Sequence, residues 1–170
     1  MDYIYCKQTD NYIGRFLPLL DEGWTIFLIS DHGQVCSEYT KPFVPGLLMD
    51  KGYTVMMKDE NGQAVRDIDW TKTSAVAWAV CNISINLKGR DKHTLPDGTV
   101  IDGIVDPADK WELEERIMSD LYSWRHPETG HRVVSVALRN KDAVMLGYGG
   151  PECGDIVYWM AEGYNLDHVD

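Results

Sequence analysis

The sequence predicts an α/β chain: part of a parallel-sheet core, in residues 1–44 and 141–170, carrying an inserted α+β lobe in residues 45–140. Two observations carry the core. In Trp24–Ser30, six of the seven residues are apolar, aromatic or β-branched, with no helical spacing, as in a strand covered on both faces of a parallel sheet. A helical pattern closed by Gly23 precedes this run and turn residues follow it, the order of a doubly wound unit. The lobe rests on a third observation, short β-prone runs interrupted by turns and by one well-capped helix.

Taken in order, residues 9–22 predict a helix. Thr9 or Asp10 can cap it, Ile13, Phe16, Leu17 and Leu20 share a face, and Gly23 ends it. Pro18 removes one hydrogen bond and predicts a kink or an irregular last turn. Residues 24–30 are the buried strand. The stretch 35–52 reads as loop, punctuated by Pro42, Pro45 and Gly46. Residues 53–57 predict a strand, Asp59–Gly62 a turn and 63–68 its hairpin partner. Residues 75–87 are β-prone, and 82–87 alternate as a strand with one wet face does. Pro96-Asp97-Gly98 marks a surface hairpin or loop. The helix predicted over 107–124 has Asp106 as cap, Pro107 in its first position and Leu113, Ile117, Leu121 and Trp124 as its buried stripe. Strands at 132–138 and 155–160 follow.

At 170 residues, 44% apolar and 11% aromatic, the chain can bury a core and is not a disordered tail. Its net charge of −11 argues against a nucleic-acid duplex as partner. Small anionic ligands stay compatible if metal ions supply positive charge. Cys6, Cys36, Cys81 and Cys153 show no Cys-x-x-Cys spacing and read as reduced thiols, which predicts a cytoplasmic protein. No membrane partner is expected, because no apolar run is long enough to span a bilayer.

Asp31-His32-Gly33 follows the predicted strand directly. Carboxylate and imidazole suit zinc and similar ions, and Gly lets the backbone turn away. The alternative is that Asp31 caps a turn and His32 is an ordinary loop histidine. His93, His126 and His131 lie in turn-rich segments and read as surface residues. Gly147-Tyr148-Gly149-Gly150 precedes Pro151 and a strand rather than a helix with Lys, so it is not a phosphate loop.

Ile26–Gly33 resembles the alkaline phosphatase superfamily, whose second half places Asp-His-Gly at the end of a core strand. Residues 9–16 (Thr-Asp-Asn-Tyr-Ile-Gly-Arg-Phe), 86–90 (Asn-Leu-Lys-Gly-Arg), 103–109 (Gly-Ile-Val-Asp-Pro-Ala-Asp) and Glu162-Gly163-Tyr164-Asn165 ahead of His168 resemble its type I phosphodiesterase and nucleotide pyrophosphatase branch. The resemblance covers most of the chain. It implies an alkaline-phosphatase-like parallel core and two divalent ions, usually zinc, flanking a Thr or Ser nucleophile that attacks phosphorus. By resemblance Asp31 and His32 ligate one ion and His168 the other, although Val169, not the family's usual Gly, follows His168. Lys88 and Arg90 are candidates to meet a substrate phosphate; the alternative is a solvated basic loop.

The family's nucleophile, its first metal-binding Asp and its Asp-x-x-x-His pair would precede this segment. The expectation is therefore the C-terminal portion of a metal-dependent phosphodiesterase or nucleotide pyrophosphatase acting on a small phosphate ester or nucleotide, inactive by itself. A phosphonate hydrolase or a phosphoglycerate-mutase-like phosphotransferase is the alternative within the superfamily. From another class, the rival is a noncatalytic binding or interaction module that retains part of the fold.

Overall fold

The computed structural model describes residues 2–31, 43–78 and 81–164. The chain divides into two compact units, residues 1–35 and 36–170.

In the first unit, helix α1 (Asp2–Gly14) begins well before the predicted cap at Thr9 or Asp10. Pro18 breaks the pattern as expected. The α-helix stops at Gly14, and a separate 3-10 turn, Leu17–Leu20, takes Pro18 into its first positions, where a missing N–H costs nothing. Gly23, at φ +89°, reverses the chain, and the Trp24 amide returns to the Leu19 carbonyl at 3.1 Å.

The expected buried strand at 24–30 is not formed: these residues join no ladder among the described residues. Phe27, Leu28 and Ile29 are 82%, 75% and 89% exposed. An apolar β-prone run specifies a strand only when neighbours take up its backbone groups and cover its faces, and composition does not supply those neighbours.

The second unit opens with α2 (Val44–Asp50) where loop was predicted. Pro45 sits in its first turn, where the geometry suits it, and Val44, Leu47 and Leu48 are buried. Strands β1 (Met56–Lys58) and β2 (Ala64–Ile68) pair as an antiparallel hairpin. The Asp59 carboxylate closes its turn by accepting the Asn61 and Gln63 amides at 2.9 and 2.8 Å. Next come β3 (Ala75–Trp78), β4 (Asn82–Ile85) and a small antiparallel hairpin of β5 (Lys92–Thr94) and β6 (Val100–Asp102). Helix α3 (Lys110–Ser123), β7 (Val134–Arg139), α4 (Asn140–Ala143) and β8 (Ile156–Met160) complete the unit.

The principal sheet has the order β3-β4-β8-β7, with every pair antiparallel. The parallel-sheet core expected from the sequence is therefore not present among the described residues; a parallel contact occurs only as the isolated bridge Leu87–Val105. What holds is the coarser expectation, a mixed helix and strand chain. The physical reason is in β8, which follows a tight turn-rich segment and inserts between β4 and β7 with the opposite direction. Antiparallel neighbours need no helical crossover.

Ile83, Ile85, Val134, Ala137, Ile156 and Tyr158 from the sheet share one core with Leu113, Ile117 and Leu121 of α3 and Leu47 and Leu48 of α2. Burying each Leu or Ile contributes about 1.5–3 kcal/mol. Two details fix the arrangement. The Tyr122 hydroxyl donates to the Ala137 carbonyl at 2.8 Å and accepts the Ala137 amide at 2.9 Å, on the outer strand β7. Gly103 lies so close to the Leu87 backbone that a Cβ there would overlap it, and beside it the Ile104 and Val105 amides donate to the Asn86 carbonyl at 3.0 and 2.9 Å.

Candidate functional site

Asp31, the metal ligand nominated within the described residues, is exposed at a bend just past the 24–30 segment. His32 and His168 lie outside the described residues. Among the described residues no three His, Cys, Asp or Glu side chains converge to hold a metal ion. The described residues by themselves therefore do not make a donor set.

The two nominated phosphate contacts part company. Lys88 is exposed. Arg90 is turned inward upon the protein: its Nη1 and Nη2 donate to the two Asp155 oxygens at 2.8 and 2.9 Å, and Nη2 also reaches Asp91 at 2.9 Å and the Ile85 carbonyl at 2.5 Å. Asp155 accepts the Ile85 amide at 2.7 Å and lies 3.1 Å from the Lys110 ammonium. Lys110 also pairs with Glu114, whose other oxygen takes Arg139 Nε at 2.9 Å, and Arg139 continues to Glu115. The Arg139 guanidinium covers Trp111, 3.4 Å from the ring centroid, with the Lys141 ammonium at 4.7 Å.

Burial by itself would raise the Asp155 pKa, but the Arg90 bonds, the Ile85 amide and the charge of Lys110 together hold it below the ordinary aspartate range. Desolvation by itself would lower the Lys110 pKa, but Glu114 and Asp155 outweigh it and shift it upward. A cleft of about 350 Å³ opens beside Arg90, Lys110, Arg139 and Lys141. Although it is rich in cations, Arg90, Lys110 and Arg139 are aimed at the chain's own carboxylates. The network ties the turn after β4, the start of α3 and the segment before β8 into one assembly.

A second site was not foreseen from the sequence. Trp70, just after β2, stacks flat on His93 of β5, with centroids 3.7 Å apart and planes 6° from parallel. Asn86, 3% exposed, donates through Nδ2 to the Trp70 and Thr73 carbonyls at 3.2 and 2.8 Å. Its Oδ1 is thus the acceptor for His93 Nε2–H at 2.8 Å, which fixes the histidine tautomer. Burial lowers the His93 pKa against the opposing charge of Asp91, which favours the neutral ring. His93 is half-buried and engaged, not the surface residue its turn-rich surroundings predicted.

Beside Trp70 lies an open cleft of about 630 Å³ whose walls include Met57, Ile68, Leu95 and Pro96 and whose rim carries Asp67, Asp69 and Asp97. Hydrogen bonds from Lys72 and Thr71 lower the Asp69 pKa, and the Thr99 amide and hydroxyl lower that of Asp97. No spacing rule joins residues 67–70 to 93–97. The hint in the sequence is an aromatic residue preceded by two carboxylates, Asp67 and Asp69, next to a predicted strand end.

No protein-family model, curated protein or solved structure matches the chain.

Proposed function

We propose that the chain is the C-terminal portion of a metal-dependent phosphodiesterase or nucleotide pyrophosphatase, with Asp31 and His32 ligating one divalent ion, His168 a second, and Lys88 facing the phosphate ester. Zinc ions so held would activate a Thr or Ser nucleophile and offset charge on the phosphoryl oxygens. The supporting observation is that two separate stretches carrying the resemblance, 86–90 and 103–109, lie together. Leu87 bridges Val105, the Lys88 amide donates to the Val105 carbonyl at 2.9 Å, and Gly103 packs on the Leu87 backbone. Such pairing gives these residue types a common structural role, whereas unrelated short matches carry no such demand. Arg90, occupied by Asp155, acts in this reading by fixing the loop that presents Lys88.

The test is zinc-dependent hydrolysis of an aryl phosphodiester by the longer polypeptide encoded with the upstream reading frame. Loss of turnover in Asp31→Ala and His32→Ala, with folding preserved by circular dichroism, is the expected result. Undiminished turnover in both variants overturns the ligand assignment. Turnover by the 170-residue chain alone, abolished by Asp31→Ala, overturns the division of the active site.

The second reading, a noncatalytic binding module, is favoured by the Trp70 cleft, whose apolar and acidic lining is made by residues 57–71 and 94–97 of the second unit.

A further inference from the structure

We propose that the cleft between Trp70 and the Leu95–Asp97 turn binds a small organic cation, an ammonium group carried on an apolar body. The inference stands on the geometry of the second unit and needs neither functional reading.

The chemistry follows from what lines the space. A volume of about 630 Å³ is on the scale of small-molecule sites. Trp70 lines the cleft, with one ring face taken by His93, and indole is the best of the side-chain partners for a cation. The ring is held independently of any ligand by the stack on His93, and the Asn86 bond to the Trp70 carbonyl fixes the backbone beneath it. Such preorganisation lowers the entropic cost of binding. Met57, Ile68, Leu95 and Pro96 offer surface for an apolar body.

The rim decides the sign of the charge. Asp67, Asp69 and Asp97 line the cleft, and no basic side chain does so among the described residues. Lys72 pairs with Asp69 at 2.6 Å from outside the lining and is itself 68% exposed, so it offsets one carboxylate and leaves two. Arg66 lines the adjoining cleft of about 460 Å³ on another side of Trp70. Among the described residues these carboxylates do not converge as a metal-ligating group. Negative potential around an aromatic and apolar lining suits an organic cation, whose ammonium head meets the carboxylates while its apolar body meets the walls, and it repels phosphates and carboxylates.

The probe pair is tert-butylammonium chloride and tert-butanol, nearly equal in shape and different in charge, titrated into the full chain at constant ionic strength. The readouts are the Trp70 indole N–H resonance and intrinsic fluorescence. A saturable response to the ammonium and none to the alcohol is expected. The double variant Asp67→Asn/Asp97→Asn tests the rim without disturbing the fold, because an Asn oxygen can still accept the Ile68 and Thr99 amides that Asp67 and Asp97 hold at 2.8 and 2.9 Å. It should bind the ammonium about tenfold more weakly. Trp70→Leu should abolish binding, and Trp70→Phe should restore part of it. Equal binding of the alcohol, an unaltered dissociation constant in the double variant, or a response that fails to saturate would each overturn the proposal.

Discussion

The ion network around Asp155 and the rim of the Trp70 cleft are both dense in charge, yet they are built to opposite ends. At Asp155, carboxylates that are 8% and 3% exposed, Asp155 and Glu114, are matched to Arg90, Lys110 and Arg139. Around Trp70, Asp67 and Asp97 are open to solvent and spend their hydrogen bonds on nearby backbone amides. Matched, buried charge holds elements together because removing one partner strands the other. Unmatched charge beside an aromatic wall contributes little to folding and leaves a potential for something else to answer. A concentration of basic residues in the sequence therefore says less about ligands than the question of which carboxylates face them.

The sharpest way to break this contrast is Asp155→Ala, which leaves the Ile85 amide without its acceptor and takes the buried carboxylate from Arg90 and Lys110. A loss of about 3 kcal/mol is expected, at the low end for a buried pair because Arg90 is 43% exposed and can regain water. Urea unfolding would measure it. The same residue sets a pH limb. Its folded pKa lies below the unfolded one, so its contribution is complete above about pH 4 and declines as pH falls through the folded value. Asp155→Ala should flatten that limb, and an unchanged acid profile would mean that other carboxylates govern it.

An intermediate effect is expected at Asn86, the buried hinge between the two regions. Asn86→Ala removes bonds to Trp70, Thr73 and His93, costing about 2 kcal/mol. It should also broaden the Trp70 indole resonance, because the ring loses its anchor. A sharp, unshifted resonance would show that stacking alone positions Trp70. The smallest effect belongs to Asp67→Asn, within about 0.5 kcal/mol of the parent. If that exposed carboxylate instead proves as costly as Asp155, the distinction between the regions fails.

Much of the second unit was legible because its signals are local. The Asp59–Gly62 turn, the alternation through Asn82–Ile85 and the stripe Leu113, Ile117, Leu121 each specify their element within a few residues, and all three appear, although the helix starts at Lys110 behind Asp109 rather than at Pro107 behind Asp106, and Trp124, expected in the stripe, is extended just past its end. Strand order was not legible, since the insertion of β8 between β4 and β7 depends on pairings more than 70 residues apart, such as Asn82 with Val157. The same limit applies to the sites. Arg90 could be recognised as a cation in a loop, but not as the partner of Asp155. His93 looked superficial because its partners, Trp70 and Asn86, lie on other elements. Of the nominated metal ligands, Asp31 is placed at an exposed bend, and His32 and His168 fall outside the described residues.

The paired hydrogen bonds between the Tyr122 hydroxyl and Ala137 bear on how the protein behaves at high concentration. Among the described residues β7 is an outer strand, and the Ala137 amide and carbonyl are groups through which such a strand recruits a further strand from another molecule. One phenol from α3 occupies both. A single side chain thereby takes the place of the missing neighbour at that point on the edge, and a chain rich in β-prone sequence is given a local defence against growing into aggregates through its own sheet.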